Sequence, residues 1–298
     1  MKNTNVLAWS ILIILSLVWG SSFILIKRGL EVFNAGEVGA IRILAACLFT
    51  LPFSIPQVRK LSFRHLKLLF IIGLVGSFIP AFLFAIGQTQ LPSGITGVLN
   101  GLTPVSVLII GVVFFKQEIT RLKTVGLIVA FVGTIVLLSA GGNGGFRGIN
   151  LYALFIVFAT ICYGTNLNVI KYYLADLKPL VITAVSILFM GPLAGLYLLL
   201  FTDFSVKLAT VNGALAAFGY VSLLGIMGTA IALVLFNRLV QITTPIFAST
   251  VTYLIPVVAL IWGFFDGEMI VLGQLLGMAA IFVGVYITNR KKINSKKI

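Results

Sequence analysis

The chain contains 298 residues, of which 60% are hydrophobic and 9% are charged, and it carries a formal net charge of +14. Soluble domains are about 45–50% apolar and about 25% charged, so this composition excludes a water-soluble globular enzyme. On a soluble protein the positive charge would indicate nucleic acid as a partner. In an apolar chain, excess Lys and Arg is typical of cytoplasmic loops. We therefore expect a lipid bilayer around the chain and no nucleic-acid partner.

Ten apolar segments, bounded by Gly, Pro or charged residues, predict an all-α membrane protein with ten transmembrane helices. Each crossing needs roughly 20 apolar residues, so ten crossings use about 200 residues and leave little room for an extramembrane domain. In chain order the segments are Leu7–Ile26, Gly36–Phe53, Leu66–Gly87, Ser93–Phe115, Leu122–Ser139, Asn150–Ile170, Pro179–Phe201, Asn212–Phe236, Thr244–Phe265 and Ile270–Thr288.

The basic residues predict how these helices are oriented. If the N-terminus is inside, most of the 21 Lys and Arg residues fall on the cytoplasmic side. The opposite side holds only Lys27, Arg28, Arg147 and Lys207, while Arg42 lies inside the second segment. Because cytoplasmic loops are the positively charged ones, we expect both termini in the cytoplasm and the chain in the plasma (inner) membrane.

The second half of the chain repeats features of the first half. A shift of 152 residues pairs Gly73 with Gly225 and Pro104 with Pro256, without a gap between them. Matches of Gly and Pro in one register are harder to attribute to chance than matches of apolar residues. The third and fourth segments are therefore predicted to correspond to the eighth and ninth.

A second shift, of 144 residues, relates the first segment to the sixth. It pairs Trp19–Ser22 with Tyr163–Asn166, and Lys27 with Lys171. The chain thus divides into two predicted repeats of five helices, residues 1–143 and 144–298. Because five is odd, the second repeat enters the membrane upside down, as in secondary transporters whose binding site lies between inverted repeats.

These residues resemble the EamA family of the drug/metabolite transporter superfamily. The resemblance is carried by Trp19–Phe23, Lys27, Arg42, Thr103–Val105, Glu118 and Glu268. It covers the chain from about Leu7 to Asn289 and is looser in the second repeat. It implies the transporter fold and the export of diverse small metabolites, including amino acids and drug-like compounds. The two glutamates resemble the family's paired glutamates.

The fourth segment carries a polar face. Thr96, Asn100 and Thr103 recur at helical spacing, and polar groups at membrane depth need either a neighbouring helix or a wet cavity. Both alternatives stay open, since small polar residues also pack helices together. Pro104 and its repeat mate Pro256 are candidate hinges, because proline bends or breaks a helix.

Aromatic and polar residues elsewhere complete a predicted substrate site. In the ninth segment Thr252 aligns with Asn100, and the adjacent Tyr253 combines an apolar ring with a polar tip. Trp19 has an alternative role as a membrane-interface anchor. The candidate substrate-binding residues are Trp19, Ser22, Thr96, Asn100, Tyr163, Asn166, Thr252 and Tyr253.

The charged residues limit the mechanism. Proton-coupled carriers commonly use intramembrane carboxylates or histidines, and the sequence places none near a segment centre, which favours a facilitator or exchanger. Glu118 and Glu268 are candidates for gating or coupling, or are helix-end residues that cap elements. Arg42 is a third candidate. We expect an acid or a helix end to neutralise it, with a substrate carboxylate as the alternative.

Other features suggest how the chain associates. Small residues at four-residue spacing in Gly126–Ala130 and Gly273–Gly277 let helices approach closely, which suits packing within the chain or a homodimer.

The sequence offers no catalytic constellation. One loop histidine, His65, and the separated Cys47 and Cys162 supply no metal-ligand spacing or cofactor motif, so we expect neither an enzyme nor a cofactor. The prediction is a secondary transporter that exports or facilitates movement of a small-molecule substrate, such as an amino acid or a related amphipathic metabolite, by alternating access. The alternative is a proton-coupled multidrug or toxicant exporter on the same fold.

Overall fold

The regular elements are helices throughout the described part of the chain. The structure, a computed structural model, describes residues 2–91, 93–140, 151–265 and 271–289. The helices are α1 (Lys2–Gly20), α2 (Ser22–Leu30), α3 (Ala35–Val58), α4 (Phe63–Gly73), α5 (Ile79–Gln88), α6 (Ser93–Asn100), α7 (Thr103–Phe115), α8 (Arg121–Ala140), α9 (Ala153–Tyr173), α10 (Pro179–Leu200), α11 (Phe204–Thr210), α12 (Ala214–Leu223), α13 (Ala232–Ile242), α14 (Pro245–Ser249), α15 (Val251–Phe265) and α16 (Leu272–Asn289). A π-helical turn joins α4 to α5 at Leu74–Phe78, and another joins α12 to α13 at Leu224–Ile231.

Several of these helical stretches are long and apolar enough to cross a bilayer. In the described ranges six meet that requirement: Asn5–Leu30, Ala35–Val58, Phe63–Gln88, Ala153–Tyr173, Pro179–Leu200 and Ala214–Ile242. Shorter apolar helices cover Thr103–Phe115, Pro245–Val258 and Leu272–Thr288. The prediction of a helical, multi-pass chain is confirmed at this level, while the count of ten crossings stays a prediction.

Among the described residues, five of the ten predicted segments, the first, third, fourth, eighth and ninth, are interrupted by a turn or a π turn. The first is interrupted at Ser21 between α1 and α2, and the fourth breaks after Asn100, shortly before Pro104 in the first turn of α7. Proline is tolerated in a first turn because its missing N–H would have no helical partner there. Pro80, near the start of α5, leaves a preceding carbonyl without a helical donor beside the first π turn, whereas the second π turn has Ala232 at the corresponding position.

Pro256 behaves differently from its repeat mate. The helix α15 continues through Pro256, and the interruption in this segment lies earlier, at Thr250 between α14 and α15. The predicted hinge at Pro256 therefore does not coincide with a break in the helix, whereas the one at Pro104 lies beside a break.

Glycines allow α8 and α16 to pack almost backbone to backbone. A Cβ at Gly133 would lie 2.7 Å from the Ile281 nitrogen, and one at Gly277 would lie 2.5 Å from the Leu137 nitrogen. The predicted close approach of small residues thus occurs within one chain. This packing accounts for the glycine spacing, and the homodimer stays a prediction.

The start of α3 is fixed by a network of charged and polar groups. Asn34 and Glu37 form a capping box, in which each side chain accepts a hydrogen bond from the backbone N–H of the other residue. The fully buried Glu37 carboxylate also lies 2.7 Å from the Lys207 ammonium of α11. The short helix α11 is thereby tied to the beginning of α3.

Lys171 connects two predicted spans through backbone carbonyls. Its ammonium group, at the end of α9, donates to the carbonyl oxygens of Val240 at 3.1 Å, Gln241 at 3.1 Å and Thr243 at 2.6 Å. The last carbonyls of a helix lack helical donors and carry partial negative charge, so a cation there satisfies both requirements.

Replacing Lys171 by Met should lower the free energy of unfolding by about 1–3 kcal/mol, because three carbonyls lose a charged donor. The matched control is Lys27→Met, at the repeat-related position. Lys27 is exposed and hydrogen-bonds to none of the described residues. Thermal unfolding of both variants in detergent micelles measures the difference, and equal midpoints would contradict this role of Lys171.

Candidate functional site

The interrupted helices, together with the continuous helices α3 and α9, surround a cavity of about 90 Å³. A cavity of this size holds several water molecules or a small solute. Its walls come from α1–α3, α5–α7, α9, α13, α15 and both π turns. Residues far apart in the sequence therefore meet at one site.

Most of the residues predicted to bind substrate lie on this cavity. The predicted substrate-binding residues that line it are Trp19, Ser22, Asn100, Tyr163, Asn166 and Thr252. Thr103, which shares the polar face of Asn100, also lines it. These residues come from both halves of the chain.

Two predicted binding residues lie away from the cavity. Tyr253 is fully buried, and its hydroxyl donates to the Leu127 carbonyl oxygen of α8 at 3.3 Å. Successive residues of a helix point about 100° apart, so Tyr253 faces α8 while Thr252 faces the cavity. Thr96 is buried one turn before Asn100 and is not among the lining residues.

Of the three residues predicted to take part in gating or coupling, the two that the structure describes do not form one group. Glu118 is exposed between α7 and α8, and Glu268 falls outside the described residues. Arg42 lies on the cavity instead. Among the described residues no acid forms an ion pair with Arg42, and its guanidinium donates a hydrogen bond to the Thr229 hydroxyl instead.

The second π turn positions two of the site residues. The Trp19 Nε1–H donates to the Gly228 carbonyl oxygen at 2.8 Å, and the Arg42 Nε–H donates to the Thr229 Oγ1 at 2.7 Å. A π turn departs from regular helical hydrogen bonding and is frequent at functional sites. The Trp19 ring also packs edge-on against Phe236, with ring centroids 5.0 Å apart.

The first π turn forms the facing part of the wall. A Cβ at Gly76 would lie 2.5 Å from the Asn166 amide carbon, so glycine is needed for this approach. On the same helix as Asn166, the Tyr163 ring stacks on Phe84 with centroids 6.0 Å apart. An amide and an aromatic ring from α9 are thus held side by side.

The break in the fourth segment positions Asn100. The Thr103 hydroxyl lies 2.8 Å from the Asn100 carbonyl oxygen and 3.2 Å from its Oδ1. Thr103 therefore bridges the end of α6 and the start of α7, and it holds the Asn100 side chain at the cavity wall.

Sequence reasoning missed several lining residues. Ser77 and Thr229 lie in the two π turns and are paired by the 152-residue shift, so the repeat contained a usable signal for both. Phe84 and Phe236 are also an identical pair under this shift, and Phe23 ends the Trp19–Phe23 stretch that carries the family resemblance, yet an apolar ring among 24 phenylalanines does not by itself indicate that it faces a cavity.

The site combines three kinds of group. Amides and hydroxyls supply neutral hydrogen-bonding partners, aromatic rings supply apolar walls, and Arg42 supplies a positive charge. Arg42 is the one charged residue among the described residues that line the cavity. This arrangement suits the reversible binding of a small amphipathic molecule.

Comparison with known proteins agrees with this architecture. A model of the EamA-like transporter family matches residues 7–139 and again residues 150–290. A chain of known crystal structure superposes with a TM-score of 0.71 at 17% identity, covering 95% of this chain and 96% of that chain. At this identity the superposition supports the fold alone.

Similar sequences extend over nearly the full length. An uncharacterized transporter of Archaeoglobus fulgidus is 26% identical, covering 95% of this chain and 99% of that protein. The uncharacterized inner membrane transporter YedA of Escherichia coli is 26% identical, covering 93% and 89%. A protein of Streptantibioticus cattleyicolor named as a probable terminal-alkyne amino-acid exporter is 24% identical, covering 96% and 94%. The two family matches together span most of the chain, which therefore belongs to the EamA-like transporter family.

Proposed function

We propose that this transporter moves small amphipathic metabolites, amino acids or related compounds, across the plasma membrane by alternating access, as an exporter or facilitator. The observation that carries the proposal is the cavity where interrupted helices from both halves of the chain meet. Secondary transporters bind substrate at such a place, between discontinuous helices near the midplane. The name of the Streptantibioticus cattleyicolor relative supports amino-acid-like cargo.

The proposal includes ten transmembrane helices in two inverted repeats, residues 1–143 and 144–298. Two pairs of helix contacts support it. In each pair, one contact becomes the other when its glycine is moved by 152 residues and its partner by 144 residues. In the first pair, Gly76 lies beside Asn166 and Gly228 lies beside Ser22. In the second pair, Gly73 lies beside the Ser186 carbonyl and Gly225 lies beside the Arg42 carbonyl. Such exchanged pairs favour a pseudo-two-fold axis, about which one half rocks against the other.

The positive charge of the loops supports the orientation in this proposal, with both termini in the cytoplasm. Rocking about the axis would then open the cavity to one side of the membrane at a time. Trp19, Ser22, Asn100, Tyr163, Asn166 and Thr252 contact the substrate in both states.

The alternative is a proton-coupled multidrug exporter on the same fold, with Glu118 or Glu268 as coupling residues. Uptake of a labelled amino-acid panel into proteoliposomes, with and without an imposed pH gradient, distinguishes the two. We expect saturable flux that is independent of the gradient. Flux driven by the gradient would favour the alternative, and absence of flux for every amino acid would overturn the proposed substrate.

Asn166→Ala should lower the kcat/KM of transport at least about tenfold, since a cavity amide that hydrogen-bonds substrate contributes about 1.5 kcal/mol. The matched control is Thr165→Ala on the same helix, whose hydroxyl donates to the Ile161 carbonyl oxygen and does not line the cavity. Initial rates of flux at several substrate concentrations measure both variants. Equal kinetics for the two would remove Asn166 from the site.

A further inference from the structure

We infer that Arg42 binds a carboxylate group on the transported molecule. This inference rests on the proposed function and narrows it, because it makes a carboxylate the required part of the substrate. The evidence is the placement of Arg42, the groups that surround it and the composition of the cavity wall.

The guanidinium of Arg42 lies on the cavity, where the described side chains that interact with it, Thr229 and Tyr163, carry hydroxyls and no carboxylate. Among the described residues its one hydrogen bond runs from Nε to the Thr229 hydroxyl at 2.7 Å, and no carboxylate lies within ion-pair distance. The N–H groups of the two terminal nitrogens have no hydrogen-bond partner in the described parts of the chain. A hydroxyl oxygen satisfies one donor but does not neutralise the charge.

Leaving a cation unpaired at this depth is unfavourable. Arg42 lies seven residues after the start of α3, about 10 Å along the helix, which is too deep for a simple interfacial position. Charged groups inside membrane proteins pair with other groups or face a wet cavity used by substrates or ions. Since the described protein groups supply no anion, an anion that enters the cavity is the natural partner.

The single positive charge on the described cavity wall favours a singly charged carboxylate over a doubly charged anion. The planar guanidinium fork matches the two oxygens of a carboxylate, and the Nε bond to Thr229 orients the fork. A doubly charged phosphate would require a second cation, and the described cavity wall offers none beyond Arg42. The remaining walls, with the rings of Trp19, Tyr163 and Phe84, suit an apolar or aromatic body.

An ammonium group on the substrate gains no comparable partner. Within the described lining residues no acidic side chain is present, so an amino acid would bind through its carboxylate and hydrogen-bond its ammonium to neutral groups. A monoanionic acid should therefore bind at least as well as the zwitterion.

The membrane potential would also drive export of a monoanion. An inside-negative potential of 100 mV supports an outward concentration ratio of about 50-fold.

The test uses four probes of one shape and different charge: 3-phenylpropanoate, L-phenylalanine, 3-phenylpropanamide and 2-phenylethylamine. Each is titrated at millimolar concentration against the full chain in detergent, and binding is measured as the rise in thermal midpoint. We expect the two carboxylates to stabilise the protein and the amide and amine to bind at least tenfold more weakly. Stabilisation by neither carboxylate, or equal stabilisation by the amide, would overturn the inference.

Three variants isolate the role of Arg42. Arg42→Met should abolish the preference for carboxylates, whereas Arg42→Lys should retain part of it because the charge remains. Arg28→Met, which removes an exposed arginine paired with Glu31, is the control and should leave the preference unchanged. The empty Arg42→Met protein should unfold at or above the wild-type midpoint, since an uncompensated charge has been removed.

Flux of the same probes in proteoliposomes separates this inference from the proposed function. An inside-negative potential should accelerate efflux of 3-phenylpropanoate and leave that of 3-phenylpropanamide unchanged. If the amide is transported as well as the acid, the inference fails while the proposed transport stands. If the acids bind through Arg42 but none of the probes crosses the membrane, the anion site stands and the proposed transport fails.

Discussion

Replacing Gly284 by Leu should lower the free energy of unfolding by at least about 3 kcal/mol and detach α16 from α8. A Cβ at Gly284 would overlap the backbone nitrogen of Ala130 and lie 2.6 Å from the Gly126 carbonyl oxygen. These are backbone atoms, so no change of side-chain rotamer relieves the overlap, and the two helices must separate. Close backbone packing of this kind is a main source of helix association in membranes.

The matched control for this variant is Gly219→Leu in α12. A Cβ at Gly219 meets no other group within 4 Å, and leucine favours a helix over glycine. Thermal unfolding and size-exclusion chromatography of both proteins in detergent measure the outcome. If Gly284→Leu is as stable and monodisperse as Gly219→Leu, the tight pairing of α8 with α16 is not what holds these helices together.

Lys207→Met should cost about 3 kcal/mol of folding free energy. The substitution leaves the Glu37 carboxylate fully buried, with Oε2 bonded only to the Asn34 N–H and Oε1 without a hydrogen bond to any described group. Removing one partner of a buried ion pair is costly because the remaining charge stays uncompensated. We expect the thermal midpoint to fall, and we expect proteases to cleave α11 before they cleave the other helices.

An exposed ion pair of the same chain supplies the control. Arg28 and Glu31 are 2.9 Å apart, with 56% and 53% of their side chains exposed. Such pairs contribute roughly 0–1 kcal/mol, so Arg28→Met should change stability little. The double variant Glu37→Gln with Lys207→Met should recover part of the loss, because the amide carries no charge. Equal effects of Lys207→Met and Arg28→Met would contradict a structural role for the buried pair.

The sequence predicted helix positions well wherever one apolar segment is one helix. The helix α8 spans Arg121–Ala140, against a predicted Leu122–Ser139. The segment Ser93–Phe115 was less predictable, because it divides into α6 and α7. Hydropathy does not reveal such a break, since the residues on both sides of it are apolar. Pro104 was the sequence feature that indicated its position.

The candidate site was predictable only in part, for a similar reason. Trp19 and Asn166 were identified from polar and aromatic groups in corresponding segments, and both line the cavity. Tyr253 met the same criterion and faces α8 instead. A helix that is apolar on all sides has no sequence signal for which face meets the cavity, so a shift of one residue decides whether a side chain reaches it.

The sequence by itself determined the membrane class, the helical character, the repeat along the chain and the resemblance to a transporter family. These depend on composition and on spacing along the chain, which the residues carry directly. Only the tertiary structure decided which helix faces meet, and therefore where Arg42 and Tyr253 lie. Trp19 hydrogen-bonds to a carbonyl 209 residues away, released by a π turn that local propensity does not predict. Such contacts arise from the packing of all the helices together, and no local pattern encodes them.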